Sequence, residues 1–203
     1  MIAFIPARGG SKGVAWKNIK PFRGKPLIRW TVDAAKESGV FERVIVSSDA
    51  DAILDLCNDV ERIKRDPQLA TDTTPMDEVI KDFLTQQPSD LIMLLQPTSP
   101  LRTSAHIRQA ASQFDGNTLI SVCPIPSSYL KSFVEVNGKL QPIYHTKTDR
   151  RQDLPPLYMP NGAIYLFSSN SFHQYGGIPK NNVSPFFMEE SLDVDTELDF
   201  AYC

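Results

Sequence analysis

Cysteine is scarce: Cys57, Cys123 and Cys203 are too few and too scattered for a disulfide framework or a paired-cysteine zinc site, and none stands beside a histidine. Reduced thiols are expected, with Cys57 and Cys123 serving packing. No apolar run approaches the roughly 18 residues of a membrane span. The first strand-like run, MIAFIP, is too short for a signal peptide and lacks its basic leader, so a cytoplasmic chain is expected. An excess of one charge is also missing. The 21 Lys and Arg against 24 Asp and Glu leave a net charge of −3, which argues against a globally basic nucleic-acid binder. With 41% apolar residues the chain is not compositionally disordered, and 203 residues suffice for one sizeable core. No sequence period of about 20–50 residues recurs, and no low-complexity tract or Gly/Ser linker divides the chain.

Short β-rich runs alternate with amphipathic stretches, the pattern of parallel strands joined by crossover helices. Strands are predicted at Ile2–Pro6, Val44–Ser47, Arg62–Lys64, Leu91–Leu95, Leu119–Val122 and Ala163–Phe167. Pro26 opens a helix over Leu27–Ser38 that Gly39 ends. Asp49–Cys57, Met76–Thr85 and Thr103–Phe114 read as further helices. Around Asn137-Gly138, a favoured hairpin turn, FVEV and LQPIY form a projecting arm, a common dimerisation element. The expectation is a single α/β domain over 1–203 with an inserted arm at 129–150. The 16 prolines mostly punctuate loops.

The net charge hides a segregation. Residues 1–30 hold Arg8, Lys12, Lys17, Lys20, Arg23, Lys25 and Arg29 with no acid, and residues 189–203 hold Glu189, Glu190, Asp193, Asp195, Glu197 and Asp199 with no base. After the first strand comes Ala7-Arg8-Gly9-Gly10-Ser11-Lys12-Gly13, then Lys17-Asn18. Glycines let backbone N–H groups approach an anion, and three cations on one loop can neutralise a polyphosphate. The string is neither a Walker A loop nor a dinucleotide fingerprint. Asp193 and Asp195 flank Val194, and in an extended segment both carboxylates face one side, where a divalent ion such as Mg²⁺ would find oxygen ligands. The same string also reads as an acidic helix start with Asp195 as N-cap, and the basic loop tips the balance toward metal. Gln96-Pro97-Thr98-Ser99-Pro100-Leu101-Arg102 follows a strand at the end where open α/β sheets bind ligands, and it also prepares the next helix.

Taken in order, IPARGGSKG with KNI, LLQPTSPLRT, RQDLP, PNGAIY and SLDVDTELD resemble the N-acylneuraminate cytidylyltransferases, or CMP-sialic acid synthetases. These motifs span residues 2 to 199. The resemblance implies a three-layer Rossmann-like nucleotidyltransferase fold, mainly parallel, with a dimerisation arm. It implies transfer of CMP from CTP to the anomeric hydroxyl of a nine-carbon α-keto acid sugar, with one or two Mg²⁺ ions, for which Mn²⁺ can substitute. It also implies a homodimer with no nucleic-acid or membrane partner.

Carried across by position, Arg8 and Lys17 match the family's triphosphate-contacting cations. Ser11, Lys12 and Asn18 are placed for the nucleotide, and Asp193 and Asp195 match the metal carboxylates. Arg8, Lys17 and Asp195 are the expected catalytic residues. Arg65 matches a cytidine-contacting arginine, and the backbone around Asp72–Thr74 is expected to help read the pyrimidine. For the sugar, the resemblance points to Gln96, Thr98, Lys131, Arg151, Asn161 and Tyr165. Lys131 and Arg151 bracket the arm and can reach a neighbour's site. Without the family, both read as surface charges and Tyr165 as a core aromatic. Legionaminic, pseudaminic or 3-deoxy-octulosonic acid are the alternative acceptors, and a non-catalytic nucleotide-binding module is the remoter alternative.

Some positions depart from the family. Ala15-Trp16 stands where relatives often carry a proline, Met76 follows Pro75 where some carry small hydroxyl residues, and little room for a terminal helix follows Asp199.

Overall fold

The protein is described here from a computed structural model over residues 1–11, 13–145, 150–189 and 191–201, with Arg151 by its backbone alone. Lys12, the arm segment 146–149, Glu190 and Cys203 therefore lie outside the described residues.

The chain begins with β1 (Ile2–Pro6), then β2 (Pro21–Phe22) and β3 (Lys25–Pro26), which form a small ribbon. It continues through α1 (Leu27–Ser38), β4 (Arg43–Ser48), α2 (Asp51–Asp55), β5 (Glu61–Lys64), α3 (Met76–Gln86), β6 (Leu91–Leu94) and α4 (Ser104–Ser112). The second half holds β7 (Leu119–Ile125), β8 (Phe133–Val136), β9 (Lys139–Pro142), β10 (Leu157–Ser168), α5 (Ser169–Tyr175), β11 (Ser184–Phe187) and α6 (Glu197–Ala201). Among the described residues, the main sheet has the order β11-β7-β10-β6-β1-β4-β5. Its pairings are parallel except for β10, which runs antiparallel between β6 and β7.

Every residue of β1 is buried, as a central strand covered on both faces requires. Side chains alternate across a strand, so Ala3 and Ile5 join one core with Ile28 and Val32 of α1 and Ile107 of α4. Ile2 and Phe4 join the other, with Ile80 and Phe83 of α3 and Phe172 of α5. Phe4 stacks on Phe83 with ring centroids 4.1 Å apart. Two helical layers thus sandwich the sheet. α1 ends where Gly39 takes φ 67 and its N–H reaches the Lys36 carbonyl.

The chain leaves β1 toward β4 on one side and returns from β5 to β6 on the other, so β1 marks a topological switch point. Ligand crevices of open α/β sheets form outside the carboxyl ends of strands at such a point.

The predicted strand at Ala163–Phe167 extends back to Leu157 across a register shift between Pro160 and Tyr165, with Gly162 at φ +77. Pro160-Asn161-Gly162 reads as a breaker in sequence, whereas in the sheet it is a bulge. β11, α5 and the β2–β3 ribbon were not predicted. Cys57 is buried, and burial pushes its thiol up to about 11, while Cys123 is only partly buried. β8 and β9 project as a hairpin on Asn137 (φ 52) and Gly138 (φ 75), the left-handed pair of a two-residue turn. Phe133 and Leu140 on it are 58% and 68% exposed. Among the described residues no helix is long and apolar enough to cross a membrane.

Candidate active site

The loop after β1 is held at several points. Ala7 N–H donates to the Ser47 carbonyl at 2.9 Å, Gly9 N–H to Asp49 Oδ1 at 2.9 Å, and Asn18 Nδ2 to the Arg8 carbonyl at 2.9 Å. Gly13 meets the chain's other end. A Cβ there would stand 2.2 Å from the Asp195 carbonyl oxygen, so only glycine lets the basic loop and the acidic segment touch.

That acidic segment is pinned by Val194, fully buried against Phe22 and Leu27, whose N–H donates to the Thr98 carbonyl at 2.8 Å. With Val194 anchored inward, Asp193 and Asp195 both reach the wall of one cavity of about 360 Å³. Asp195 Oδ1 accepts from Lys17 Nζ at 2.7 Å. The Asp193 carboxyl is held above the ordinary aspartate range, first by the protein crowding it and then by the Asp195 charge, against a hydrogen bond from Thr98. Asp195 is not the cap of α6. The Asp199 carboxylate accepts from Asp195 N–H and Thr196 N–H, at 2.9 and 2.7 Å, and fastens the turn before the helix.

The cavity sits at the carboxyl ends of β1 and β6, lined by Arg8, Ser11, Lys17, Asn18, Arg65, Thr74, Gln96, Thr98, Asp193 and Asp195. Arg65 is 4% exposed and reaches the Ser47 carbonyl through Nη2 at 2.7 Å and the Leu69 carbonyl through Nη1 at 3.5 Å. Burial lowers its pKa, and neighbouring Arg8 pushes the same way. It therefore binds the 67–70 turn to the end of β4 while lining the cavity. Thr71 and Thr74 hydroxyls lie 2.6 Å apart, and Thr74 Oγ1 donates to the Gln68 carbonyl, folding that loop on itself. Asn18 is 6% exposed with its Oδ1 unpartnered.

Of the residues assigned to the sugar, Gln96 and Thr98 line the cavity, whereas Lys131, Asn161 and Tyr165 stand off its wall. Asn161 is buried behind the β10 bulge. Its Oδ1 accepts from Ser121 Oγ at 2.6 Å and Ala163 N–H at 3.2 Å, and its Nδ2 has no partner. A Cβ on Gly162 would meet Gln96 Oε1 at 2.8 Å, so the bulge rests on the Gln96 loop. Tyr165 is half-buried, and burial first, then the Asp193 charge, raises its pKa. Lys131 is exposed in a short turn before β8, and the Arg151 side chain lies outside the described residues.

Three features of the site take roles that the sequence did not assign. Leu69, Met76 and Val79 give the cavity an apolar wall. The Asp72 carboxylate pairs with Arg8 Nη1 at 2.5 Å, and a lone loop acid carries no signal for such a role. Arg102 is 2% exposed and donates from Nη1 to the Gln96 carbonyl at 3.1 Å and the Ala163 carbonyl at 2.8 Å. Its Nη2 donates to Thr31 Oγ1 at 2.5 Å.

No group of three or more His, Cys, Asp or Glu gathers among the described residues. A carboxylate pair is nonetheless the donor set that Mg²⁺ takes when substrate phosphates and water complete its shell, so Asp193 and Asp195 fit such an ion.

The family model for cytidylyltransferases matches residues 2–171. The N-acylneuraminate cytidylyltransferase of Streptococcus agalactiae serotype V is 36% identical over 213 residues, covering 99% of this chain and 52% of the relative. The chain thus spans about half the length of that relative. The CMP-N,N'-diacetyllegionaminic acid synthase of Legionella pneumophila is 33% identical over 222 residues, covering 99% of this chain and 93% of the relative. Among solved structures, a CMP:2-keto-3-deoxy-manno-octonic acid synthetase complexed with CTP superposes with a TM-score of 0.75 at 15% identity, covering 99% and 95% of the two chains. That likeness establishes the Rossmann-like nucleotidyltransferase fold.

Proposed function

From the chain's membership of the cytidylyltransferase family, in the group of N-acylneuraminate cytidylyltransferases and CMP-nonulosonate synthetases, we propose that it transfers CMP from CTP to the anomeric hydroxyl of a sialic acid-type sugar. Pyrophosphate is the second product. The observation that carries this reading is one cavity at the switch point that joins two cations, Arg8 and Lys17, to two carboxylates, Asp193 and Asp195.

Phosphoryl-type transfer needs positioned charge more than covalent help. Arg8 and Lys17 bind the triphosphate and neutralise the charge that grows on departing pyrophosphate, with Ser11, Lys12 and Asn18 completing the loop. Arg65 and the Thr71–Thr74 turn shape the nucleoside side, and Leu69, Met76 and Val79 supply the apolar surface for a pyrimidine face. Asp193 and Asp195 would hold Mg²⁺, which when bound acts as a Lewis acid on the α-phosphate and lowers the pKa of the incoming hydroxyl. Lys17 and Asp195 face each other at 2.7 Å, so the chain already sets the phosphate-binding cation beside the metal-binding carboxylate. Gln96 and Thr98 orient the sugar, with Asn161 and Tyr165 supporting them from β10. Lys131 and Arg151 act from a neighbouring subunit on the sugar carboxylate, in a homodimer built on the exposed β8–β9 arm. A cytoplasmic site for the reaction belongs to the same proposal.

Legionaminic acid is the second reading of the acceptor, favoured by the Legionella relative, which this chain matches over 93% of its length. Pyrophosphate release with CTP, Mg²⁺ and a panel of eight- and nine-carbon α-keto acid sugars decides between them. Release only with sialic acids supports the first reading, release only with legionaminic acid the second, and no release with any sugar refutes both. Asp195→Ala should lower turnover far more than it weakens CTP binding, and unchanged Mg²⁺-dependent turnover would refute the metal role.

A further inference from the structure

Arg102 has no part in the chemistry above, yet its placement is costly. It is a guanidinium 2% exposed, and among the described residues no carboxylate pairs with it. Burial draws its pKa down to about 9, so it remains a cation at neutral pH. Taking a charge out of water is costly, and even buried ion pairs are often replaced by apolar side chains of similar volume with no loss of stability. Filling space is therefore a poor account of this residue.

Its hydrogen bonds fall on three separate elements: Thr31 of α1, the Gln96 carbonyl after β6, and the Ala163 carbonyl of β10. Thr31 Oγ1 lies 3.5 Å from the same Gln96 carbonyl, closing a small network around that peptide. Each of the two carbonyls leads directly to the site. From Gln96 the chain runs to Thr98, whose carbonyl accepts from Val194 between the paired aspartates. From Ala163 it runs back to Gly162, resting on the Gln96 side chain, and to Asn161. The nucleotide half is anchored elsewhere, on β1 and β4, through Ala7, Asn18 and Arg65.

We propose that Arg102 is a positioning residue, whose buried guanidinium fork holds the Gln96–Thr98 loop and the Asn161–Ala163 bulge as one unit that sets the acceptor sugar against the nucleotide. This rests on the reading of the cavity as a CMP-transfer site. A lysine keeps the charge but is a point donor that cannot reproduce the planar fork. Displacing a substrate-positioning segment by about 1 Å can cost on the order of 100-fold in rate.

The test measures Arg102→Lys for CTP affinity by calorimetry, for pyrophosphate release against sugar concentration, and for melting temperature. The expected result is a CTP Kd within about twofold of wild type and a sugar KM raised at least about tenfold, with kcat/KM for the sugar down about 100-fold. Thr31→Val, which removes one acceptor and keeps the shape, should shift the sugar KM a few-fold the same way with CTP binding unchanged. It keeps the test decisive if Arg102→Lys does not fold. A sugar KM within twofold of wild type in the folded variants overturns the proposal, as does a loss of CTP affinity in proportion to sugar affinity. Wild-type protein that releases no pyrophosphate with any sugar overturns the reading of the site instead, and this proposal with it.

Discussion

Gly13→Ala probes the seam between the basic loop and the acidic segment. The added Cβ would lie 2.2 Å from the Asp195 carbonyl oxygen, where ordinary contact begins at 3.4 Å, so the two backbones must part by about 1.2 Å. Neither side yields easily: Val194 is buried and hydrogen-bonded to Thr98, and Lys17 and Asn18 tie the other strand of the seam. Overpacking of this kind costs about 2 kcal/mol, or about 4–8 °C of melting temperature for a chain of this size. The functional cost is larger, because the shift separates Lys17 from Asp195 and the triphosphate cations from the metal carboxylates. A displacement of about 1 Å corresponds to about 100-fold in kcat/KM, near 2.7 kcal/mol. Gly10→Ala is the thermal control, since a Cβ there meets nothing within 4 Å and the residue is not at positive φ. The assays are thermal melting of both variants and pyrophosphate release by Gly13→Ala. A Gly13→Ala protein with wild-type melting and kcat/KM within threefold would refute the argument, as would an equal loss of melting temperature in Gly10→Ala.

Arg8 is held by Asp72 in a pair whose side chains are about one-third exposed, so a phosphate must displace the carboxylate. Such pairs are worth about 0.2–1 kcal/mol, so Asp72→Asn should tighten tripolyphosphate binding by up to about fivefold, and weaker binding by calorimetry would count against the competition. Arg8→Ala should weaken the same ligand and slow turnover, and normal kinetics would remove Arg8 from the triphosphate site. His106 Nδ1 accepts from Thr103 N–H in the cap of α4, and burial first, then the Arg102 charge, lowers its pKa below 6.5. The unfolded chain then binds more protons below about pH 6.5, so the His106 contribution is intact above that pH and lost as pH falls through it. Melting temperature should drop between about pH 7 and 5, and His106→Gln should flatten the drop; an unchanged profile would exclude this origin.

The alternation of β-rich and amphipathic runs made the α/β class legible, because burial on both faces of β1 and one stripe of α1 writes directly into residue spacing. Pro26 and Gly39 fixed α1 at both ends for the same local reason. β10 was legible only in its second half, since Pro160-Asn161-Gly162 breaks a strand unless a neighbouring loop receives the bulge. The glycines after β1 read as anion-approach points. In the structure Gly9 crowds Ala50 and Gly13 crowds Asp195, and contacts between segments so distant in sequence leave no local trace.

By itself the sequence determined the composition of the site: a basic loop near one end, a pair of aspartates near the other, and a polar loop after a central strand. Those are properties of residue type and spacing. Tertiary structure alone decided that the switch point at β1 brings these segments to one cavity, that Asp72 occupies Arg8, and that Met76 helps form an apolar wall. It also decided that Arg102, which in the sequence belongs to the approach to a helix, is a buried fork beneath the Gln96 loop. Each of these depends on long-range closure of the sheet, which places residues by topology rather than by their neighbours in the chain.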